Sequence, residues 1–382
     1  KRHVLKFSAS LRGVAANTVT VNGGTLRLDG IVLNSNTVTV NGGTVRSNGT
    51  STINGVTVGA AATAVTLSTT VSGDIFTVGN ATNKLAGTNT ASVISADGPG
   101  TISLPFSSNY AGGWSINAGI LQLGNNSALG AAASVGVTFG PSSTGTLKLN
   151  GFSPTVTRLA TNATVGTPVV ENGTSGTSLL TVNNATDSTF AGALNDGAAG
   201  ILALTKGGAG TLSLNGANNY TGATIIGAGT LKINSTAATA SVAVNSGSTL
   251  GGIGTITGSV SVASTSRLAP GNGVGTLTMG SLALASGSIV DCEFKTGPAA
   301  NDLAVVTTTD GLTLTGGGFN LYQEGTTTQF NTPGTYTLIS YTGTSPVSTS
   351  GLTVLNPAPT KNYSFSSDTS SVQLTITASV IS

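Results

Sequence analysis

A parallel β-helix, or β-solenoid, is the all-β fold predicted by this sequence of 382 residues, and three observations carry the prediction. The first is a long repeat. Residues 208–234, GAGTLSLNGANNYTGATIIGAGTLKIN, align without a gap on residues 98–124, GPGTISLPFSSNYAGGWSINAGILQLG, 110 positions earlier. Tyr110 falls on Tyr220, Gly112 on Gly222, Gly119 on Gly229 and Leu121 on Leu231. The second is a shorter repeat of period 19, NTVTVNGGTLRLDGIVLNS followed by NTVTVNGGTVRSNGTSTIN, over residues 17–54. Nineteen residues suit one coil of short strands joined by Asn-Gly-Gly corners that permit positive φ. The third is composition. Charged residues make up 7%, against roughly 25% in ordinary soluble domains, while 38% are hydrophobic and 55 are glycine. A Thr, Ser and Asn surface lets like residues stack from coil to coil without repulsion. A right-handed coil is expected, closed by a C-terminal β module that is partly antiparallel.

The chain divides by texture into residues 1–16, 17–280 and 281–382. Residues 1–12, KRHVLKFSASLR, hold four of the fourteen basic residues and no acid. On an extended strand Leu5, Phe7, Ala9 and Leu11 share one face, with Lys6, Ser8 and Ser10 on the other. Two uses are open for this segment. It covers the open end of the solenoid as a first strand, or it adds as an arm to the strand edge of the next subunit, with Lys1, Arg2, Lys6 and Arg12 as its charges. A nucleic-acid partner is not expected, because the basic residues do not continue into a patch interleaved with aromatics. Arg27 and Arg46 hold equivalent places in the 19-residue repeat and should stack on one outer face as a solvated pair.

Within 17–280 the identical strands at coil spacing favour parallel stacking over a hairpin, although Asn-Gly is a hairpin signal. Alternation puts Leu212 and Leu214 on one face of a strand, and Leu231 and Ile233 on one face of another. From about Ser281 the strands lengthen, and eight of the seventeen aromatic residues lie beyond residue 290. Larger side chains are therefore expected to fill the C-terminal module. Cys292 is the single cysteine, so no intrachain disulfide forms; it reads as a small buried residue.

The pattern G-x-G-T-L-x-L-x-G-x-N-x-Y-T-G-x-T-x-I-x-x-G-T-L resembles the autotransporter-associated β-strand repeat of bacterial secreted and surface proteins. Residues 206–233 follow it closely; residues 98–123 depart from it at Trp114 and Ala118. Residues 242–278, with their L-A-P-G-N turn, and residues 301–317 are similar to the segments that come after such repeats. The resemblance implies a secreted β-solenoid displayed at a bacterial surface and no particular activity. No stretch reads as the membrane barrel of an autotransporter or as a membrane-spanning helix. A first residue of Lys1 without an apolar leader suggests a mature chain freed of its export signal.

The inventory argues against an enzyme. His3 is the single histidine, so zinc Cys/His patterns have no material and histidine acid–base chemistry would have to use a residue of the terminal arm. No cofactor or metal is expected. Polysaccharide lyases and hydrolases use β-helices, so the carboxylates matter: Asp291 and Glu293, at i and i+2 on one strand face, are the one pair close enough to couple, with Lys295 beside them. Two readings lead. The first is a structural subunit of a bacterial surface fibre, filament or biofilm matrix, assembled head-to-tail into a homopolymer through strand edges and the N-terminal arm. The alternative is a monomeric adhesin, a passenger-type module that binds cell-surface or matrix glycans, with Trp114 or Tyr220 stacking on sugar. A lyase or hydrolase comes third.

Overall fold

Short alternating runs separated by Gly, Asn and Ser corners form strands throughout. The structure, a computed structural model, describes residues 4–7, 18–62, 64–131, 134–295 and 300–379, and strands are its only regular elements. Among these residues no helix is long and apolar enough to cross a membrane. The chain forms two compact units, Lys1–Ala203 and Leu204–Ser382.

In the first unit the 19-residue period is one turn of a parallel coil. Val19–Asp29 lies along Val32–Asn48 with Val19 beside Val38, Val21 beside Val40 and Arg27 beside Arg46. The corners stack as tightly as the strands. Gly43 sits at φ 97°, and a Cβ there would come within 2.5 Å of the Gly24 carbonyl oxygen. Only glycine meets both demands. Beside it the Asn41 amide donates to Asn22 Oδ1 at 2.7 Å, so like residues pair from coil to coil.

The long strands Val32–Asn48 and Thr50–Val58 bend round corners and pair on more than one face. One face then continues in register through Ala64–Thr69, Val93–Asp97, Gly113–Ile116, Gly136–Phe139 and Arg158–Thr161. A second face runs through Ile75–Val78, Thr101–Leu104, Ile120–Leu123, Thr146–Lys148, Val169–Glu171 and Ala193–Asn195. Period-2 alternation makes every second residue a core residue. Val65, Ile94, Trp114, Val137 and Leu159 form one buried column, and Phe76, Ile102, Leu121, Leu147, Val170 and Leu194 another. Each buried Val, Leu, Ile or Phe contributes about 1.5–3 kcal/mol, and the stacked columns replace the disulfides that the chain cannot make.

In the second unit the two strands of the long repeat, Thr211–Leu214 and Thr230–Ile233, are consecutive rungs of one face, with Leu212 beside Leu231 and Leu214 beside Ile233. All four of these side chains are buried. The same face continues through Thr249–Gly252, Arg267–Pro270, Ile289–Phe294, Gly317–Gln323 and Leu352–Val354. The repeat's inner glycine is fixed by the turn: Gly229 has φ 63°, and a Cβ would lie 2.5 Å from the Gly208 carbonyl oxygen. Gly119 of the other repeat has the same conformation and the same clash, against Gly98.

Antiparallel pairing enters with Gly334–Ser340, Ser371–Ala378 and Lys361–Ser367. The C-terminal part is thus partly antiparallel, as its longer alternating runs predict, while parallel rungs persist beside it as far as Leu352–Val354. Aromatic rings fill this region. Phe294 and Phe330 stack at 4.4 Å, with Tyr336 edge-on to both. Cys292 is buried, and burial pushes its thiol pKa up.

Candidate functional site

The residues singled out by sequence fall in three places. Val4–Phe7 pairs in parallel with residues 25–28 of its own chain, Leu5 beside Leu26, Lys6 beside Arg27 and Phe7 beside Leu28. Lys1, Arg2, Ala9, Leu11 and Arg12 lie outside the described residues. Lys6, Arg27 and Arg46 consequently share one register column. Arg27 Nε donates to Asp29 Oδ1 at 2.6 Å, and Arg46 Nε to Ser68 Oγ at 3.2 Å.

Trp114 and Tyr220 lie in the core, 1% and 0% exposed. Sugar stacking needs an open ring face, and neither ring has one as folded. The parity of the strands explains this. Trp114 alternates with Ser115 and shares its side with Ile116, which faces inward. Tyr110 meets Trp114 edge-to-face with ring centroids 6.1 Å apart. The Tyr110 hydroxyl donates to the Ser92 carbonyl at 3.0 Å, and Trp114 Nε1 donates to the Leu129 carbonyl at 2.8 Å. In the second repeat Thr224 stands where Trp114 does, and its hydroxyl meets the Tyr220 hydroxyl at 2.7 Å. Burial pushes the Tyr220 phenol up to about 12. Lys206, fully buried, donates through Nζ to the carbonyls of Gly207, Gly208 and Ala228.

The carboxylates of the second unit are engaged in structure. Arg267 Nη1 lies 2.8 Å from both oxygens of Asp291, and Asn320 Nδ2 donates to Asp291 Oδ1 at 2.8 Å. Glu293 accepts from the Gly325 backbone N–H at 3.3 Å, and Lys295 pairs with Glu324 at 3.7 Å rather than with either strand neighbour. Asp302, given no role by the sequence, takes the Gly275 N–H on Oδ1 and the Glu293 N–H on Oδ2, each at 2.8 Å. Among the described residues no group of three or more His, Cys, Asp or Glu side chains is placed to hold a metal ion.

Among the described residues, one groove of about 520 Å³ lies on the outer face of the first unit. Its lining comes from successive coils of that unit. Val93, Gly113, Gly136 and Arg158 follow one another along the outer face, while Ser115 and Thr138 stand in the adjoining column. The groove exposes polar and apolar surface in about equal measure, and Arg158 is the one charged residue among those that line it. The core residues Tyr110 and Trp114 support it from below: the Tyr110 hydroxyl also reaches the Gly113 carbonyl at 3.2 Å, and Trp114 ties down Leu129 ahead of the wall residue Ser134. No signal in the sequence marked this groove, because it depends on which residues of unequal coils become neighbours.

Residues 96–123 and 204–233 match the passenger-associated-transport-repeat. These are autotransporter passenger-type repeats. Each places two of its strands, Thr101–Leu104 and Ile120–Leu123 or Thr211–Leu214 and Thr230–Ile233, as consecutive parallel rungs around the inner glycine, Gly119 or Gly229, and the β-solenoid that carries them has the form of a passenger-type domain. Over 136 residues the chain is 34% identical to the protein described as "Adhesin BmaC autotransporter" of Brucella suis biovar 1, a match covering 35% of this chain and 4% of that protein. Over 74 residues it is 49% identical to an "Extracellular serine protease" of Serratia marcescens, covering 19% of this chain and 7% of that protein. The chain thus spans a small fraction of the length of either relative.

Proposed function

We propose that this chain is a non-catalytic, surface-displayed passenger segment that binds glycan through its polar outer faces, an adhesive module of a secreted bacterial protein. The observation that carries the reading is the groove over Gly113 and Gly136, lined mainly by Ser, Thr and Gly residues with Val93 exposed among them. Its volume falls in the several-hundred-Å³ range of small-ligand sites, and its Ser and Thr hydroxyls can exchange hydrogen bonds with sugar hydroxyls. The passenger-type repeats and the adhesin relative support the same reading. The acidic residues support a non-catalytic role, since Asp291 and Glu293 each serve a structural contact.

The test uses the purified chain on beads, presented to a glycan array and to glycan-coated surfaces. Retention is expected on a subset of polysaccharides and should be lost in Gly136→Val, which fills the groove with a strand-favouring side chain and leaves the melting temperature within a few degrees of the parent. Absence of retention on every glycan would refute the adhesive reading.

Assembly into a fibre is a second reading: Val4–Phe7 covers the edge at residues 25–28 of its own chain, and the same edge could take that strand from a neighbouring copy. In a polymer that strand, with the rest of residues 1–12, would be exchanged to the next subunit. Deleting residues 1–12 should then leave the fold intact and abolish fibres in electron micrographs of concentrated protein. Fibres formed by the truncated chain would exclude this route.

A further inference from the structure

We propose that the groove over Gly113 and Gly136 is a subsite for a carboxylate-bearing polysaccharide, a uronic-acid glycan, with Arg158 as the group that reads the carboxylate. The proposal rests on the adhesive reading above and names its ligand class.

The glycines make the first argument. Gly113 and Gly136 occupy consecutive rungs at outward-facing strand positions, and neither has a positive φ. A Cβ on Gly113 would meet the Gly136 carbonyl oxygen at 3.4 Å and nothing nearer; one on Gly136 would meet Arg158 Cβ at 3.4 Å. Gly112, next door, is different: a Cβ there would lie 2.3 Å from the Ser92 carbonyl oxygen. Packing therefore requires glycine at 112 and not at 113 or 136. Both of the latter open their strands, Gly113–Ile116 and Gly136–Phe139, and with no Cβ they leave the backbone there bare to a close-approaching ligand. The corresponding outward column of the second face carries Thr101, Ile120, Thr146, Val169 and then Ala193, a side chain at every rung.

Chemistry makes the second argument. The two bare rungs and the Arg158 rung extend over roughly 10 Å at the strand spacing of a sheet, enough for a pair of extended sugar residues. Ser115 and Thr138 present hydroxyls along one side, able to exchange hydrogen bonds with sugar hydroxyls. Val93, 36% exposed, offers an apolar surface to a sugar's C–H face. At the other end Arg158 is exposed, and its side chain makes no ion pair among the described residues. A guanidinium fork matches a planar carboxylate with two parallel hydrogen bonds. One cation among hydroxyls suits a glycan with a single charge per sugar better than a densely sulfated or phosphorylated one.

The departure of the first repeat from its family pattern has a use at this site. Trp114 replaces the smaller residue found at Thr224, and its ring and Nε1 hold the core and the Leu129 corner beneath the groove. It acts as a support for the site, not as a sugar platform.

The experiment is calorimetric titration of the chain with hexamers of galacturonic acid, alginate and hyaluronan. The methyl ester of the galacturonate hexamer serves as an uncharged ligand of the same shape. At least one acid hexamer should bind, and where that is galacturonate its ester should bind at least tenfold more weakly. Arg158→Gln should lose the same factor and bring acid and ester to equal affinity, while Gly136→Val should lose both. Thermal melts of both variants should match the parent. Failure of every uronate to bind, or an acid-to-ester ratio that survives Arg158→Gln, would overturn the proposal. Equal binding of acid and ester, lost in Gly136→Val alone, would also overturn the carboxylate subsite while leaving the adhesive reading standing.

Discussion

Trp114→Ala should destabilise the first unit by about 3–5 kcal/mol, the range for deleting a large aromatic from a packed core. The ring is buried against Tyr110, with Ile94 and Val137 on the neighbouring rungs, and its indole N–H is spent on the Leu129 carbonyl. Alanine leaves a cavity in the column and an unpaired carbonyl at a corner, two costs that add. Trp114→Phe separates them. It keeps most of the packing and loses the hydrogen bond, so it should cost about 1–3 kcal/mol. Hydrogen exchange across residues 90–140 and circular dichroism in urea give both values, since each coil relies on its immediate neighbours. The result also discriminates between roles. A ring used to stack on sugar would lose glycan binding in Trp114→Ala while stability stayed unchanged; a core ring loses stability first. A cost below 1 kcal/mol would contradict the buried placement.

The coil was legible because the sequence repeats it. Identical nonapeptides nineteen residues apart place Arg27 beside Arg46 and Val21 beside Val40, and the structure pairs them so. Alternation alone put Leu212, Leu214, Leu231 and Ile233 inside. The same rule places Trp114 inside, since it shares parity with the inward Ile116. The groove was not legible. Residue spacing between stacked rungs on its face varies: Arg46 pairs with Ser68, Ser95 with Ser115, Ser115 with Thr138. Without a fixed period, no reading of the chain could bring Gly113, Gly136 and Arg158 into one column. Lys295 shows a related limit. Sequence proximity suggested Asp291 or Glu293 as its partner, whereas the adjacent rung supplies Glu324.

Acid should stabilise the second unit between pH 8 and pH 5, and Asp302 is the reason. Burial pushes its carboxyl pKa up to about 7, against the opposing N–H bonds from Glu293 and Gly275, and the charges of Glu293 and Glu324 add to the rise. The native pKa lies above the ordinary carboxylate value of 3.8, so the folded state holds the proton more tightly than the unfolded chain. The stability from this group is fully present below about pH 4 and is lost as pH rises to about 7. Three pKa units correspond to roughly 4 kcal/mol at full value. Asp74, in the first unit, has the opposite sign. Burial alone would raise it, but the N–H groups of Val71, Thr70 and Gly49 together hold it below the ordinary value. Its contribution is present above that value and fades only as pH falls through the native pKa, so it stays constant in the window where Asp302 titrates. Hydrogen exchange at Gly275 and Glu293, the two amides bonded to Asp302, isolates the effect once the intrinsic pH dependence of exchange is removed. Protection should rise on acidification from pH 8 to pH 5 in the parent. In Asp302→Asn it should be flat, and lower than the parent at pH 5, because the amide replaces one acceptor by a donor facing an N–H. A parent whose protection at these amides is unchanged or falls on acidification would show that Asp302 stays ionised, with its two backbone bonds outweighing the cost of burial.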